Sequence, residues 1–242
     1  MPRVDLATRD LRTMALGAQS VDYILVRRRG RHGVGFKVDS HGLTVSAPLT
    51  MPVSRIEELA LLSERWILRK IAEWSARRVA PMEWSEGVAL PYLGQTLALR
   101  LSRAPRAHVA LGDGELHAAV RETSPAAIER AVVAWYKRAA LAHLAGRAFT
   151  LARIAGLMPP RVLLSSARAR WGSCNTRREV RLAWRLVKAR PELIDYVICH
   201  ELAHLRHMNH SGAFWAEVGR QCPDYARLRD ELFATDHLYR SF

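Results

Sequence analysis

The chain has 242 residues, of which 49% are hydrophobic and 25% charged, values typical of a globular protein with a sizeable core. They exclude a wholly disordered chain, a collagen-like fibre and a coiled coil. The 37 Lys and Arg residues outnumber the 23 Asp and Glu residues and leave a net charge of +14. This balance favours association with polyanions such as nucleic acid, but it indicates no particular fold.

Cysteine content and hydropathy bear on the location of the protein. The three cysteines are an odd number for a chain of this size, which argues against a disulfide framework and fits a reducing compartment. No segment approaches the roughly 18 consecutive apolar residues of a membrane span. The first twenty residues also lack the apolar block of a secretory signal. We therefore expect a cytoplasmic protein without a membrane span.

The first part of the chain is predicted to be rich in strands. Three segments have strand-like patterns: residues 21–26, 33–38 and 43–45. A basic run from Arg27 to Arg31 lies between the first two of them. Apolar residues then recur at helical spacing and predict one long helix over residues 53–79. Short strands punctuated by glycine and proline are predicted from residue 88 to residue 120.

A second long helix is predicted from about residue 126 to residue 156, and we place a domain boundary before it. This boundary divides the chain into a β-rich N-terminal region, residues 1–124, and a second domain, residues 125–242. The last third is predicted to form a strand, a turn, a strand and two helices: residues 162–165, 171–175, 179–186, 191–207 and 211–233.

The most specific feature of the sequence is an H-E-x-x-H motif from His200 to His204. Residues four apart lie on one face of a helix, so the imidazoles of His200 and His204 can bind one tetrahedral metal ion. Glu201 lies about 100° round the helix, close enough to reach a water molecule beside the ion without binding the ion itself. Chance alone predicts about 0.02 such motifs in a chain of this composition. The motif therefore indicates zinc-dependent hydrolysis.

A zinc ion held for catalysis needs a third protein ligand. His210 follows His200 by ten residues, the separation found in the longer motif H-E-x-x-H-x-x-G-x-x-H. In that motif a glycine turns the chain back to the metal, whereas here the same position is His207. Asn209 tolerates a turn conformation better than most residues. We favour His210 as the third ligand, and His207, three residues after His204, remains the alternative.

Several longer segments match those of a known family: Arg170–Cys174, Leu182–Arg185, Ile194–Val197, His200–His204, Asn209–His210 and Phe214–Trp215. On these residues the chain resembles the YgjP-like zinc metallopeptidase family, most densely over about residues 160–225. The motif is also similar to that of the minigluzincins and of proteases that act on DNA–protein crosslinks. Ala169 and Ala183 depart from the Ser and Asn usual in the family, but neither is a proposed ligand.

With the predicted elements, this resemblance implies an α+β fold. A zincin-like catalytic domain with a small sheet and the motif helix would follow a β-rich region with a long helix. The implied activity is that of a zinc metallopeptidase, in which His200, His204 and His210 hold Zn²⁺ and Glu201 is the general base. The substrate would be a protein or peptide, aligned in extended form along the edge of the strand near Arg181–Arg185.

Two other functions remain compatible with the basic composition. One is a nucleic-acid-binding protein in which zinc is purely structural, with Arg27–Arg31 as a contact surface. Structural zinc sites usually have four protein ligands and many cysteines, which counts against this function. The other is a protease associated with DNA. Arg27–Arg31 can also be no more than the solvated tip of a hairpin.

Overall fold

The computed structural model describes residues 8–39, 42–76 and 82–242. The chain divides into two compact units, residues 1–78 and 79–242. Each unit contains a hydrophobic core of its own. Among the described residues, no helix combines the length and the apolar character that crossing a bilayer requires.

The first unit contains a four-stranded sheet and two helices. Its elements are β1 (Thr8–Leu16), β2 (Gln19–Arg28), β3 (Gly35–Asp39), β4 (Gly42–Pro48), α1 (Val53–Leu62) and α2 (Glu64–Ala76). The strand order is β1-β2-β4-β3, with β2 and β4 parallel and the other two pairs antiparallel. The core consists of Leu25 and Val45 from the sheet with Ile56, Ala60 and Ile67 from the helices, among others.

Two features of this unit differ from the prediction. The helix predicted as continuous over residues 53–79 is broken at Ser63, whose N–H donates to the Ala60 carbonyl at 2.9 Å in a tighter turn than that of an α-helix. Residues 77–79 of that prediction lie outside the described residues. Strand β1 was not predicted, because most of its side chains face solvent and the sequence therefore lacks apolar alternation.

In the described part of the second unit, two sheets, four α-helices and one 3₁₀-helix surround one core. Its strands are β5 (Ala89–Tyr92), β6 (Gln95–Arg103), β7 (His108–Gly112), β8 (Glu115–Val120), β9 (Arg161–Ser165), β10 (Gly172–Cys174) and β11 (Glu179–Ala183). Its helices are α3 (Pro125–Ile154), a 3₁₀-helix (Trp184–Lys188), α4 (Pro191–Ala203), α5 (Gly212–Gln221) and α6 (Tyr225–Tyr239). Helix α3 contacts both sheets as well as α4, and this explains its burial on more than one side.

The boundary between the units lies between residues 78 and 79, whereas the sequence analysis placed it between residues 124 and 125. The structure differs because the sheet β5-β6-β8-β7 shares its core with the helices that follow. Leu99 and Leu116 of this sheet belong to the same hydrophobic cluster as Leu144 of α3 and Leu202 of α4. The change of composition near residue 124 therefore marks a passage from sheet to helix within one core.

The second sheet of this unit supplies a strand to the site. Its order is β10-β11-β9, with β10 antiparallel and β9 parallel to the central strand β11. The edge predicted near Arg181–Arg185 is therefore wrong, since Arg181 to Ala183 belong to a strand with partners on both sides and the 3₁₀-helix follows. The edge strand that lines the site is instead β10, in a segment predicted to be a turn.

Helix α4 carries the H-E-x-x-H motif at its C-terminal end. Pro191 occupies its first turn, and its buried residues include Ile194, Val197 and Leu202. The helix ends at Ala203 rather than at His207. The N–H groups of Arg206 and His207 both donate to the Ala203 carbonyl and close the last turn. The predicted helix over residues 211–233 is two helices, α5 and α6, separated at residues 222–224, which include Pro223.

Candidate metal centre

Three histidine side chains converge at the C-terminal end of α4. One ring nitrogen from each of His200, His204 and His210 lies within 4.8 Å of the others. The Nε2 atoms of His200 and His210 are 3.2 Å apart. The two motif histidines lie one helical turn apart, and His210 reaches them from the segment between α4 and α5. The structure thus brings together the three histidines that the sequence analysis favoured.

His207, the alternative third ligand, contributes its backbone instead of its ring. The Nδ1 atom of His204 lies 3.1 Å from the His207 carbonyl oxygen. A proton on Nδ1, donated to this carbonyl, leaves the Nε2 lone pair of His204 available to a metal ion. The turn that ends α4 therefore orients one of the three imidazoles.

The start of α5 holds His210 in place. Ser211 is the N-cap of α5, and its hydroxyl accepts a hydrogen bond from the Phe214 N–H at 3.4 Å. Phe214 is fully buried. Its ring centroid lies 4.9, 4.5 and 4.7 Å from those of His200, His204 and His210. This phenylalanine therefore packs against all three imidazoles and fixes their relative positions.

Burial keeps the imidazoles in the form that binds metal. It lowers the pKa of His200 to about 4 and also lowers the pKa of His204. Both rings are therefore neutral near pH 7, as metal ligation requires. The buried Nδ1 atom of His200 has no hydrogen-bond partner among the described residues. Three imidazoles at this spacing fit a divalent metal ion of the kind that histidine prefers.

A buried carboxyl group lies beside the histidines. Glu201 is 5% exposed, and burial raises the pKa of its carboxyl to about 7, while the charge of Arg170 acts in the opposite direction. Its Oε2 atom has no hydrogen-bond partner in the described part of the chain. Strand β10 passes close to this carboxyl, since a Cβ atom added to Gly172 would lie 2.6 Å from Cγ of Glu201.

A cavity of about 290 Å³ joins these groups. Strand β10 forms one wall, and the metal-centre residues form the other. The lining residues are Gly172, Ser173, Cys174, His200, Glu201, His204, Met208 and His210. The sequence analysis missed the contribution of the strand, because the Trp171-Gly172-Ser173 sequence reads as a turn when its strand partner is unknown.

The two cysteines nearest the motif differ in their surroundings. Cys174 lines the cavity, and burial, followed by the charge of Glu201, raises the pKa of its thiol. Cys199 is buried with its Sγ atom 3.8 Å from the Gln221 carbonyl, and burial raises its pKa to about 12. Both are therefore thiols near pH 7, and Cys199 packs within the hydrophobic core.

The family model of the YgjP-like metallopeptidase domain matches residues 32–235. The chain belongs to the YgjP-like family. This YgjP-like protein is therefore a metallopeptidase, and the match includes the motif, His210 and strand β10.

Among solved structures, the YgjP-like chain is similar to the metallopeptidase zymogen abylysin from Pyrococcus abyssi. The two are 23% identical over 41% of this chain and 98% of that chain, with a TM-score of 0.36. No curated protein matches the YgjP-like chain.

Proposed function

We propose that the chain is a zinc-dependent peptidase in which His200, His204 and His210 bind Zn²⁺ and Glu201 is the general base. The observation that carries this proposal is the convergence of three imidazoles beside one buried carboxyl. Three protein ligands with one open position are typical of catalytic zinc, whereas structural zinc usually has four protein ligands. The donor set therefore favours a peptidase over a protein in which zinc is only structural.

The reaction divides between the metal and the protein. Zinc, when bound, supplies polarisation of the scissile carbonyl and activation of a water molecule. Glu201 accepts the proton of the attacking water, for which a pKa of about 7 is well matched to neutral pH. The same carboxyl then donates the proton to the leaving amine. Phe214 keeps the imidazoles in place and excludes bulk water from that side of the site.

Strand β10 is suited to hold the substrate. It pairs with β11 on one side, and among the described strands it has no partner on the other. An extended peptide can add to such an edge through backbone hydrogen bonds, which align it with little demand on its sequence. Because Gly172, Ser173 and Cys174 line the cavity, a peptide on this edge would pass the metal centre and Glu201.

Two substitutions test this assignment with a zinc-loaded chain and a peptide library. Glu201→Gln should keep one zinc ion per chain, because it leaves the ligands intact. It should lower kcat by about 10²–10⁴-fold, because the base is lost. His210→Ala should lose zinc. His207→Ala is the matched control and should retain zinc, since only the backbone of His207 contacts the site.

Zinc content by mass spectrometry and hydrolysis with and without chelator measure these outcomes. Wild-type hydrolysis by Glu201→Gln would rule out its role as the base. Zinc affinity unchanged in His210→Ala, or lost in His207→Ala instead, would rule out the proposed ligand set.

A further inference from the structure

The excess positive charge of the second unit lies in one segment. Residues 161–190 contain nine Lys and Arg residues and a single acidic residue, Glu179, whereas the rest of residues 79–242 contains 14 residues of each sign. The segment therefore accounts for the whole charge excess of this unit. It also contains β10, the strand that lines the cavity beside the metal centre.

Most of these basic side chains are exposed. Six of the nine reach solvent: Arg161, Arg168, Arg170, Arg177, Arg178 and Arg181. Glu179 lies 3.2 Å from Arg161 and 3.5 Å from Arg181, so one carboxylate serves both of these arginines. The four arginines that remain are called the cleft arginines below: Arg168, Arg170, Arg177 and Arg178.

The cleft arginines have no carboxylate in contact among the described residues. Arg168 and Arg178 donate to backbone carbonyls, at 3.3 and 2.9 Å. The side chains of Arg170 and Arg177 form no hydrogen bond or ion pair with a described residue. Their N–H groups are therefore available to a ligand, while the charge of Arg177 also acts on Glu179.

The cleft arginines flank the edge strand at both ends. Arg168 and Arg170 precede β10, and Arg177 and Arg178 lie in the turn that follows it. Arg170 lies two residues before Gly172, and Arg177 lies three residues after Cys174, so the two pairs stand at the two ends of the strand that lines the cavity. The segment from Leu202 to Ala216, which supplies His204, Met208 and His210 to the opposite wall, contains no acidic residue.

We propose that this cleft selects acidic polypeptides. The peptide would lie along β10 with Asp or Glu on both sides of the scissile bond, held by Arg168 and Arg170 at one end and Arg177 and Arg178 at the other. An arginine can form two parallel hydrogen bonds with a carboxylate, and these fix the orientation of the carboxylate in addition to attracting its charge. At about 3.3 Å per residue, the acidic side chains would lie within about three residues of the scissile bond. The inference rests on the proposed peptidase function, because it names the substrate of that site.

A peptide fits this face better than a nucleic acid. Single-stranded nucleic acids bind where exposed aromatic rings alternate with basic residues. The aromatic residue next to β10, Trp171, is half-buried, with Tyr239 at 6.3 Å and the guanidinium of Arg240 over its ring at 4.4 Å. This ring is therefore covered from within the chain, while the backbone edge beside it matches an extended peptide.

The test compares three sets of fluorogenic peptides on the zinc-loaded chain. The sets share one core and carry Asp and Glu, Asn and Gln, or Lys and Arg at the flanking positions. We expect kcat/KM to be about tenfold higher for the acidic set than for the neutral set, and lowest for the basic set. The ratio of kcat/KM values between the acidic and neutral sets should fall in 0.5 M salt, because salt screens exposed charges. This measurement uses the wild-type chain.

Charge reversal locates the effect. Arg177→Glu combined with Arg178→Glu should abolish the preference for the acidic set. The matched control combines Arg121→Glu with Arg130→Glu, two exposed arginines that line a different cavity between β8 and α3. The control should keep the wild-type ratio of kcat/KM values.

Each other outcome overturns the proposal in a recognisable way. Equal kcat/KM for all three sets, with Glu201→Gln inactive, rejects acidic selectivity and leaves the peptidase assignment standing. No cleavage of any set or of casein by the zinc-loaded chain rejects both. The variant with Arg177→Glu and Arg178→Glu could instead keep the wild-type ratio of kcat/KM values and lose salt-sensitive binding to duplex DNA. That outcome would make this face a nucleic-acid surface.

Discussion

The carboxyl of Glu201 has room beside β10 because residue 172 has no side chain. A Cβ atom there would lie 2.6 and 2.7 Å from Cγ and Cδ of Glu201, closer than such atoms approach in proteins. Gly172 is needed for space rather than for backbone freedom, since its φ angle is not among the positive ones. At the scale of residues, the position of the proposed general base therefore depends on an absent side chain 29 positions earlier in the chain.

Gly172→Ala should displace the Glu201 carboxyl and lower kcat by about 10–100-fold, because a displacement of about 1 Å at a reacting group lowers the rate by up to about 100-fold. Zinc content and KM should change little, since the histidines and the peptide edge remain. Gly146→Ala is the matched control: it is the same substitution in α3, where a Cβ atom meets no other atom within 4 Å. Steady-state kinetics with zinc analysis separate the outcomes. A wild-type kcat, or a loss of zinc in parallel with kcat, would contradict a positioning role.

At the scale of elements, the basic run Arg27–Arg31 is not one uniform surface. Arg27 lies next to the last residue of β2, and its Nη1 atom donates to the carbonyls of Pro48, Leu49 and Met51 at 3.2, 2.8 and 2.7 Å. This guanidinium therefore joins β2 to the segment that leads into α1. Arg29 is exposed and has no such contact with a described residue.

Arg27→Ala should lower the free energy of unfolding by about 1–3 kcal/mol, because three carbonyls lose a charged donor. Arg29→Ala, the control from the same run, should change it by no more than about 0.5 kcal/mol. Urea unfolding followed by circular dichroism measures both variants. Equal stability of the two would show that the contacts of Arg27 contribute nothing.

The elements also show what the sequence could predict. Helix α3 was predicted within two residues at each end, and the approach of His200 to His204 followed from helical spacing, because both patterns are local. Strand β10 was missed because three residues are too few to show a period, and a strand can be recognised as an edge only from its partners. The contact of Gly172 with Glu201 was beyond prediction for the same reason, since it depends on how β10 packs on α4.

At the scale of the whole molecule, the net charge of +14 has two origins. Residues 1–78 contain 14 basic and eight acidic residues, and residues 161–190 supply the remaining excess. The two parts belong to units with separate hydrophobic cores. A single figure for the chain therefore combines a basic first unit with a basic cleft, and the two require separate tests.

Metal removal should distinguish the two units. Zinc that binds only the folded second unit stabilises it by about 2.7 kcal/mol when free zinc is 100 times the dissociation constant. Because the three proposed ligands lie within residues 79–242, amides of α4 and of the β10-β11-β9 sheet should exchange more slowly with zinc than with chelator. Amides of β1–β4 should exchange at the same rate in both conditions. Hydrogen exchange with mass spectrometry measures the amides of both units in one chain. The control is His210→Ala, in which the exchange rates should be the same with zinc as with chelator. Equal protection of β1–β4 and α4 by zinc would mean that the two cores unfold as one, contrary to the division at residue 78.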